Sequence, residues 1–110
     1  MANLGRRFGR RYAFATSVEL TDLETVTPMT VQMSDLSPFG CHVDAKKILP
    51  KGTKVRIKVV HAGATFAAFG KVAYSTADSG MGLVFTKIET GHQKILEKWI
   101  GKIREAREIA

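Results

Sequence analysis

The feature that most restricts the fold is a two-residue hydrophobic alternation that recurs in short segments parted by turn formers. Between residues 12 and 20, Tyr12, Phe14, Val18 and Leu20 are apolar, Ala13, Ala15, Ser17 and Glu19 fall between them, and Thr16 is the one polar interruption. Successive strand residues point to opposite faces, so this is the pattern of a half-buried β-strand. Met29, Val31 and Met33 repeat it against Thr30, Gln32 and Ser34, and Val55, Ile57 and Val59 repeat it against Lys54, Arg56 and Lys58. Breakers stand at Thr27-Pro28, Ser37-Pro38-Phe39-Gly40, Pro50-Lys51-Gly52, Ala62-Gly63 and Ala77-Asp78-Ser79-Gly80, where Pro fixes φ or Gly tolerates positive values. Further strands are expected near 40–44, 65–74 and 81–86, about six in all, as in a small barrel or sandwich.

Toward the C-terminus the period changes. Ile95, Leu96, Trp99, Ile100 and Ile103 follow i, i+3, i+4 spacing, with Lys94, Glu97, Lys98 and Lys102 mostly facing away, so a helix over about 89–108 is expected to plug one end of the barrel. Thr90 and Gln93, three apart as in a capping box, mark its start. Gly101 inside it costs about 1 kcal/mol relative to Ala. Half of the helix's polar face is acidic or neutral, which disfavours binding to a membrane surface.

The chain's 110 residues, 45% of them apolar, suit one domain with one modest core. No window approaches the roughly 20 apolar residues that span a bilayer. Cys41 alone can close no intrachain disulfide, and the first residues lack the apolar stretch of a signal peptide, so a cytoplasmic location is expected.

Little in the sequence points to catalysis. His42, His61 and His92 are scattered, and with Cys41 they form no cluster at metal-ligand spacing, so no metal or cofactor is expected. Six residues rather than four separate Gly63 from Gly70-Lys71, and Val72 replaces the magnesium-binding Ser or Thr of a phosphate loop, so this stretch reads as strand. Ser37 lacks the Gly-x-Ser-x-Gly setting of a hydrolase nucleophile. Cys41 and His42 are adjacent strand residues on opposite faces, which makes Cys41 a buried structural thiol.

The charge is informative. Lys and Arg number 17 against 10 Asp and Glu, a formal charge of +7, which favours a polyanionic partner. Four arginines, Arg6, Arg7, Arg10 and Arg11, lie just before the first alternating segment, with no Lys among them. A planar guanidinium binds phosphate bidentately, reads the O6 and N7 edge of guanine and stacks on a purine, whereas Lys offers a point charge. Without a partner, such an arm is expected to be mobile, its charges repelling one another. A second segment, Asp35-Leu36-Ser37-Pro38-Phe39-Gly40, sets a carboxylate and a hydroxyl two residues apart at a turn. The carboxylate could accept from guanine N1 and N2, and the Ser37 hydroxyl could bridge to a phosphate or cap a backbone group. Gly40 is expected to let the turn close without a Cβ clash. The ordinary alternative is that Asp35 and Ser37 satisfy local N–H groups, as such residues commonly do in turns.

Together the two segments resemble the PilZ family, whose signature is Arg-x-x-x-Arg ahead of the first strand and Asp/Asn-x-Ser-x-x-Gly further along. Met81-Gly82-Leu83-Val84-Phe85 resembles the family's Gly-containing strand near the barrel's end, and a terminal helix follows. The resemblance implies a mainly β, six-stranded antiparallel barrel over 12–110 with a C-terminal helix, an arginine-rich arm over 1–11, and binding of the second messenger cyclic di-GMP without catalysis. Arg7 and Arg11 become the paired arginines and Asp35, Ser37 and Gly40 the opposing turn. Arg6 and Arg10 also satisfy Arg-x-x-x-Arg, but Arg11 directly precedes the alternating strand, which favours the first register. Either Arg6 or Arg10 could help to hold a stacked ligand dimer, two per chain. An unidentified downstream protein would read the bound state. Two alternatives stand beside this: a single-stranded nucleic-acid binder, which the charge favours but which lacks closely spaced exposed aromatics, and a PilZ adaptor that binds proteins without ligand.

Overall fold

The computed structural model describes residues 11–109. Six strands, β1 (Tyr12–Asp22), β2 (Thr27–Ser37), β3 (Gly40–Asp44), β4 (Lys54–His61), β5 (Ala64–Thr76) and β6 (Gly80–Ile88), precede one helix, α1 (Gln93–Ile109). They form a closed antiparallel barrel in the order β1-β2-β3-β6-β5-β4, with β4 pairing back onto β1. Closure leaves no open sheet edge. The expected strands are all present and mostly longer than their alternating cores. Thr27-Pro28 lies not in a loop but at the start of β2, opposite Asp22 and Thr21, where a proline is tolerated because it is among the first residues of its strand.

The inward residues of the alternation make the core: Val18, Leu20, Val31, Met33, Val43, Val55, Ile57 and Val59 are all buried. Two irregularities re-aim side chains. Ala13 pairs with Asp35 but Thr16 with Met33, so β1 carries one extra residue there, beside the polar interruption at Thr16. Met33 pairs with Val43 but Asp35 with His42, so β2 carries an extra residue at Ser34. Met33 and Leu36 therefore both point inward although three apart, and Asp35 is turned to the outside. Such bulges bend the strand and redirect its side chains.

The β4–β5 hairpin turns through Ala62 and Gly63, both at positive φ, which is the signature of a type I′ turn. At the β1–β2 hairpin the Asp22 carboxylate accepts from the Glu24 N–H at 2.9 Å. The loop ends on Val26, which is 74% exposed with φ 54°. A β-branched residue in the left-handed region is strained. Val26→Asn, which relieves that strain and removes no packing, is expected to stabilise the chain by about 1 kcal/mol and raise Tm by about 4 °C. A thermal melt in which Tm is unchanged or lower would contradict this.

Helix α1 starts later than the Thr90–Gln93 pair indicates. The His92 carbonyl accepts from the N–H groups of Ile95 and Leu96, and Gln93 bonds forward to Glu97 instead of back to Thr90. The His92 Nδ1 accepts from the Ala67 N–H at 2.8 Å, and the Ala67 carbonyl accepts from the Glu89 N–H at 3.1 Å, so the helix entry is pinned to β5. This pin replaces the side-chain cap. Leu96, Trp99 and Ile100 are buried in the core cluster, and the helix packs on β5.

Candidate ligand site

Antiparallel pairing of β1 with β2 sets Tyr12 opposite Leu36 and Ala13 opposite Asp35, so Arg11 enters the barrel beside the end of β2. The Arg11 guanidinium donates from Nε to Oδ1 and from Nη2 to Oδ2 of Asp35, both at 2.9 Å. This planar, bidentate match is the strong form of an ion pair, though at 45% and 24% side-chain exposure it is partly wet. The hydrogen bonding to Asp35 raises the Arg11 pKa against the opposing effect of burial, and Tyr74 adds to the rise.

Ser37 is buried, and its hydroxyl is committed locally. Its Oγ accepts from the N–H groups of Phe39 and Gly40, each at 3.2 Å, and donates to the Gly40 carbonyl at 3.3 Å. One donor and two acceptor positions are thus all used. Of the two roles considered for this hydroxyl, the structure has the backbone cap. Gly40 does not adopt a positive φ. It is needed for a different reason than turn closure: a Cβ there would stand 2.0 Å from the Leu83 carbonyl oxygen of β6.

Arg11, Asp35, Ser37 and Gly40 line one recess of about 60 Å³ together with Tyr74 and Gly82. Tyr74 and His42 were not singled out as site residues from sequence. The Tyr74 ring lies against the bare backbone of Gly82, where a Cβ would stand 2.1 Å from the ring. Tyr74 Oη and His42 Nδ1 are 3.1 Å apart, and His42 Nε2 meets the Ser79 carbonyl, with the Asp44 carboxylate 3.7 Å away. A carbonyl can only accept, so Nε2 carries a proton, and in the neutral ring Nδ1 then accepts from the tyrosine hydroxyl. The available signal was Gly82, a glycine within an apolar strand, which marks a close approach. Arg6, Arg7 and Arg10 lie outside the described residues. Among the described residues no group of three His, Cys, Asp or Glu side chains could hold a metal ion.

Cys41 forms part of the recess floor and is buried. Burial pushes its thiol pKa up to about 12, the Asp35 charge adding and Arg11 subtracting. The thiol is therefore neutral near pH 7 and should react with Ellman's reagent only on unfolding. An unfolded thiol ionises nearer pH 9.0, so above that pH the unfolded state binds fewer protons and stability falls. Relative to a Cys41→Ala variant, the parent should lose about 1 kcal/mol between pH 8 and pH 10. Parallel stability curves for the two proteins, or fast native labelling, would contradict this.

The recess is too small to enclose a molecule of nucleotide size, which could rest against this wall but not inside it. The fold is matched by known proteins. The model of the family described as "PilZ domain" matches residues 5–102. The barrel is similar to the PilZ domain of CeSA from a cellulose-synthesizing bacterium, with TM-score 0.69, 16% identity, and coverage of 87% of this chain and 99% of that one. It is similar to the PilZ domain of YcgR from Escherichia coli solved with c-di-GMP, with TM-score 0.69, 17% identity, and coverage of 90% and 92%. It is also similar to the Bacillus subtilis inhibitor of motility MotI/DgrA, with TM-score 0.67 and 16% identity over 88% of this chain and 49% of that one, about half its length. None of the curated proteins matches the sequence. At these identities the structural likenesses concern the fold, and it is the family model, spanning nearly the whole sequence, that assigns the chain to the PilZ domain family.

Proposed function

We propose that this chain is a receptor domain for cyclic di-GMP that signals to another protein and catalyses nothing. The observation that carries the reading is the bidentate Arg11–Asp35 pair at the mouth of the recess, which joins the two segments of the sequence signature across 24 residues. Ligand phosphates and guanine edges would meet the guanidinium groups of the arm, with Arg11 already oriented by Asp35. Asp35 lines the same recess, and each carboxylate oxygen, which accepts once from Arg11, has a further lone pair suited to guanine N1 and N2 donors. Ser37 and Gly40 would act by shaping the turn, and Tyr74 offers an aromatic wall on which a base could pack. The Arg11–Asp35 pair favours the register in which Arg7 and Arg11 act together over Arg6 with Arg10. A cytoplasmic domain would meet this second messenger where it is made.

The part of the arm ahead of Arg11 would fold onto the barrel with the ligand, and Arg6 or Arg10 would let it hold an intercalated dimer. Two stacked ligands bring four phosphate charges together, and a further guanidinium offsets their repulsion and stacks on the outer guanine. Calorimetry with cyclic di-GMP is expected to give saturable binding at two ligands per chain, with Arg6→Leu shifting it toward one. Hydrogen exchange should slow in the arm on adding ligand. Saturation at one ligand would remove the doubled ligand, while tighter binding of single-stranded oligonucleotides than of cyclic di-GMP at equal salt would overturn the receptor reading.

A further inference from the structure

On the face formed by α1, the start of β1 and the β4–β5 turn lies a groove of about 400 Å³ that shares no residue with the Arg11–Asp35 recess. Its floor is apolar and aromatic. The Phe14 ring lies 4.6 Å from the His61 ring and 5.7 Å from Trp99, and His61 meets Trp99 edge-on at 5.6 Å. Ile95, Ile103 and Ala106 continue it along the helix. Phe14, Ile95 and Ile103 are only partly buried. The rim is cationic: Lys98 and Lys102, one helical turn apart and both exposed, border the groove, and among the described residues no carboxylate lines it.

We infer that this groove docks a segment of another protein that carries apolar anchor side chains flanked by carboxylates. Charge selects the occupant. The chain's own arm bears Arg6, Arg7, Arg10 and Arg11 and matches the rim in sign. A second copy would bring Lys98 and Lys102 against themselves in a two-fold contact, where the same patch meets itself. Glu97 and Glu105 are exposed on the same helix as Lys98 and Lys102, which weakens attraction to an anionic lipid surface, where the whole helix face would meet like charge. Lys98 and Lys102 stand about 6 Å apart along the helix, a spacing met by carboxylates one helical turn apart or two strand residues apart in a partner. Aromatic floors with a polar rim are the usual anatomy of a protein-docking site. Such a partner is the kind to which the proposed receptor would signal, but the docking itself does not depend on cyclic di-GMP.

Trp99 is the chain's single tryptophan, so its fluorescence reports groove occupancy. Selection of phage-displayed random peptides on the full chain is expected to enrich sequences in which Leu, Phe or Trp adjoin Asp or Glu. Synthetic versions should change Trp99 emission and bind about tenfold more weakly to a Lys98→Glu/Lys102→Glu variant, with stronger salt dependence in the parent. A control variant, Lys71→Glu on β5, should bind like the parent. The inference is overturned if the enriched peptides show no acidic bias or bind the reversal variant undiminished. It is equally overturned if the groove takes up anionic phospholipid vesicles in preference to the peptides, or if Trp99 emission responds only to self-association at high protein concentration.

Discussion

Gly40→Ala is expected to destabilise the barrel by about 3 kcal/mol or more and to lower Tm by more than about 10 °C. The cause is distance rather than backbone freedom. A Cβ at residue 40 would stand 2.0 Å from the Leu83 carbonyl oxygen and 3.1 Å from both the Leu83 carbonyl carbon and the Val84 Cα, all backbone atoms of β6. No rotamer change can clear them, so β3 would have to move off β6 along a seam where Gly40 pairs with Val84 and Cys41 with Leu83. β3 is the shortest strand, at five residues, and on its other side only its pairing with β2 would remain to hold it. Gly101→Ala makes the contrast: nothing lies within 4 Å of a Cβ there, and removing a glycine from a helix interior should stabilise by about 1 kcal/mol. Urea unfolding of both variants checks the pair. A Gly40→Ala midpoint equal to the parent's would refute the steric account. The glycine of the Asp-x-Ser-x-x-Gly turn thus acts on the site through barrel closure, and loss of ligand binding in Gly40→Ala would not by itself indicate a contact.

How far the sequence reveals this molecule follows from the range of the interactions concerned. Alternation is a property of each strand alone, so Tyr12 to Leu20 or Val55 to Val59 announce themselves, as does the helical stripe from Ile95 to Ile103. The bulge at Ser34 depends on how β2 meets β3, and no local pattern in Met33-Ser34-Asp35 reveals it, yet it is what turns Asp35 outward toward Arg11. The helix start was misplaced because Thr90 and Gln93 look like a cap, whereas the entry is held by His92 reaching Ala67, 25 residues away. The meeting of Tyr74 with His42 is hidden for the same reason. Their contact spans 32 residues, and only Gly82 hints that something large lies over that strand. Arg11 and Asp35 are each legible as candidates because they sit in a signature whose order and setting are readable along the chain, but the bond between them spans 24 residues and no local pattern announces it.

The second large effect concerns ligand affinity, where Arg7→Ala, Arg11→Ala and Asp35→Ala are each expected to weaken cyclic di-GMP binding by roughly 5- to 150-fold, about 1 to 3 kcal/mol. The Arg11–Asp35 geometry orders two of them. On the proposed reading, Arg11→Ala would remove a phosphate or guanine contact and leave the Asp35 carboxylate without its guanidinium partner at the mouth of the recess, where it would repel an anionic ligand. It should fall near the upper end of the range. Asp35→Ala removes an acceptor for a guanine edge and frees Arg11 from its fixed pose, but it also lifts the competition of a carboxylate for that guanidinium. It should fall near the lower end. Because the two side chains touch, the double variant should lose less than the two single losses combined. The pair is partly solvated, so none of these changes should alter stability by more than about 1 kcal/mol, and affinity rather than folding is what the experiment reads. Calorimetry on parent, single and double variants, with thermal melts alongside, provides the test. Parent-like binding by all three single variants would remove the site assignment. Losses confined to Arg6→Ala and Arg10→Ala would move only the register of the arm, and strictly additive losses at Arg11 and Asp35 would show that the two meet the ligand independently of the bond that joins them.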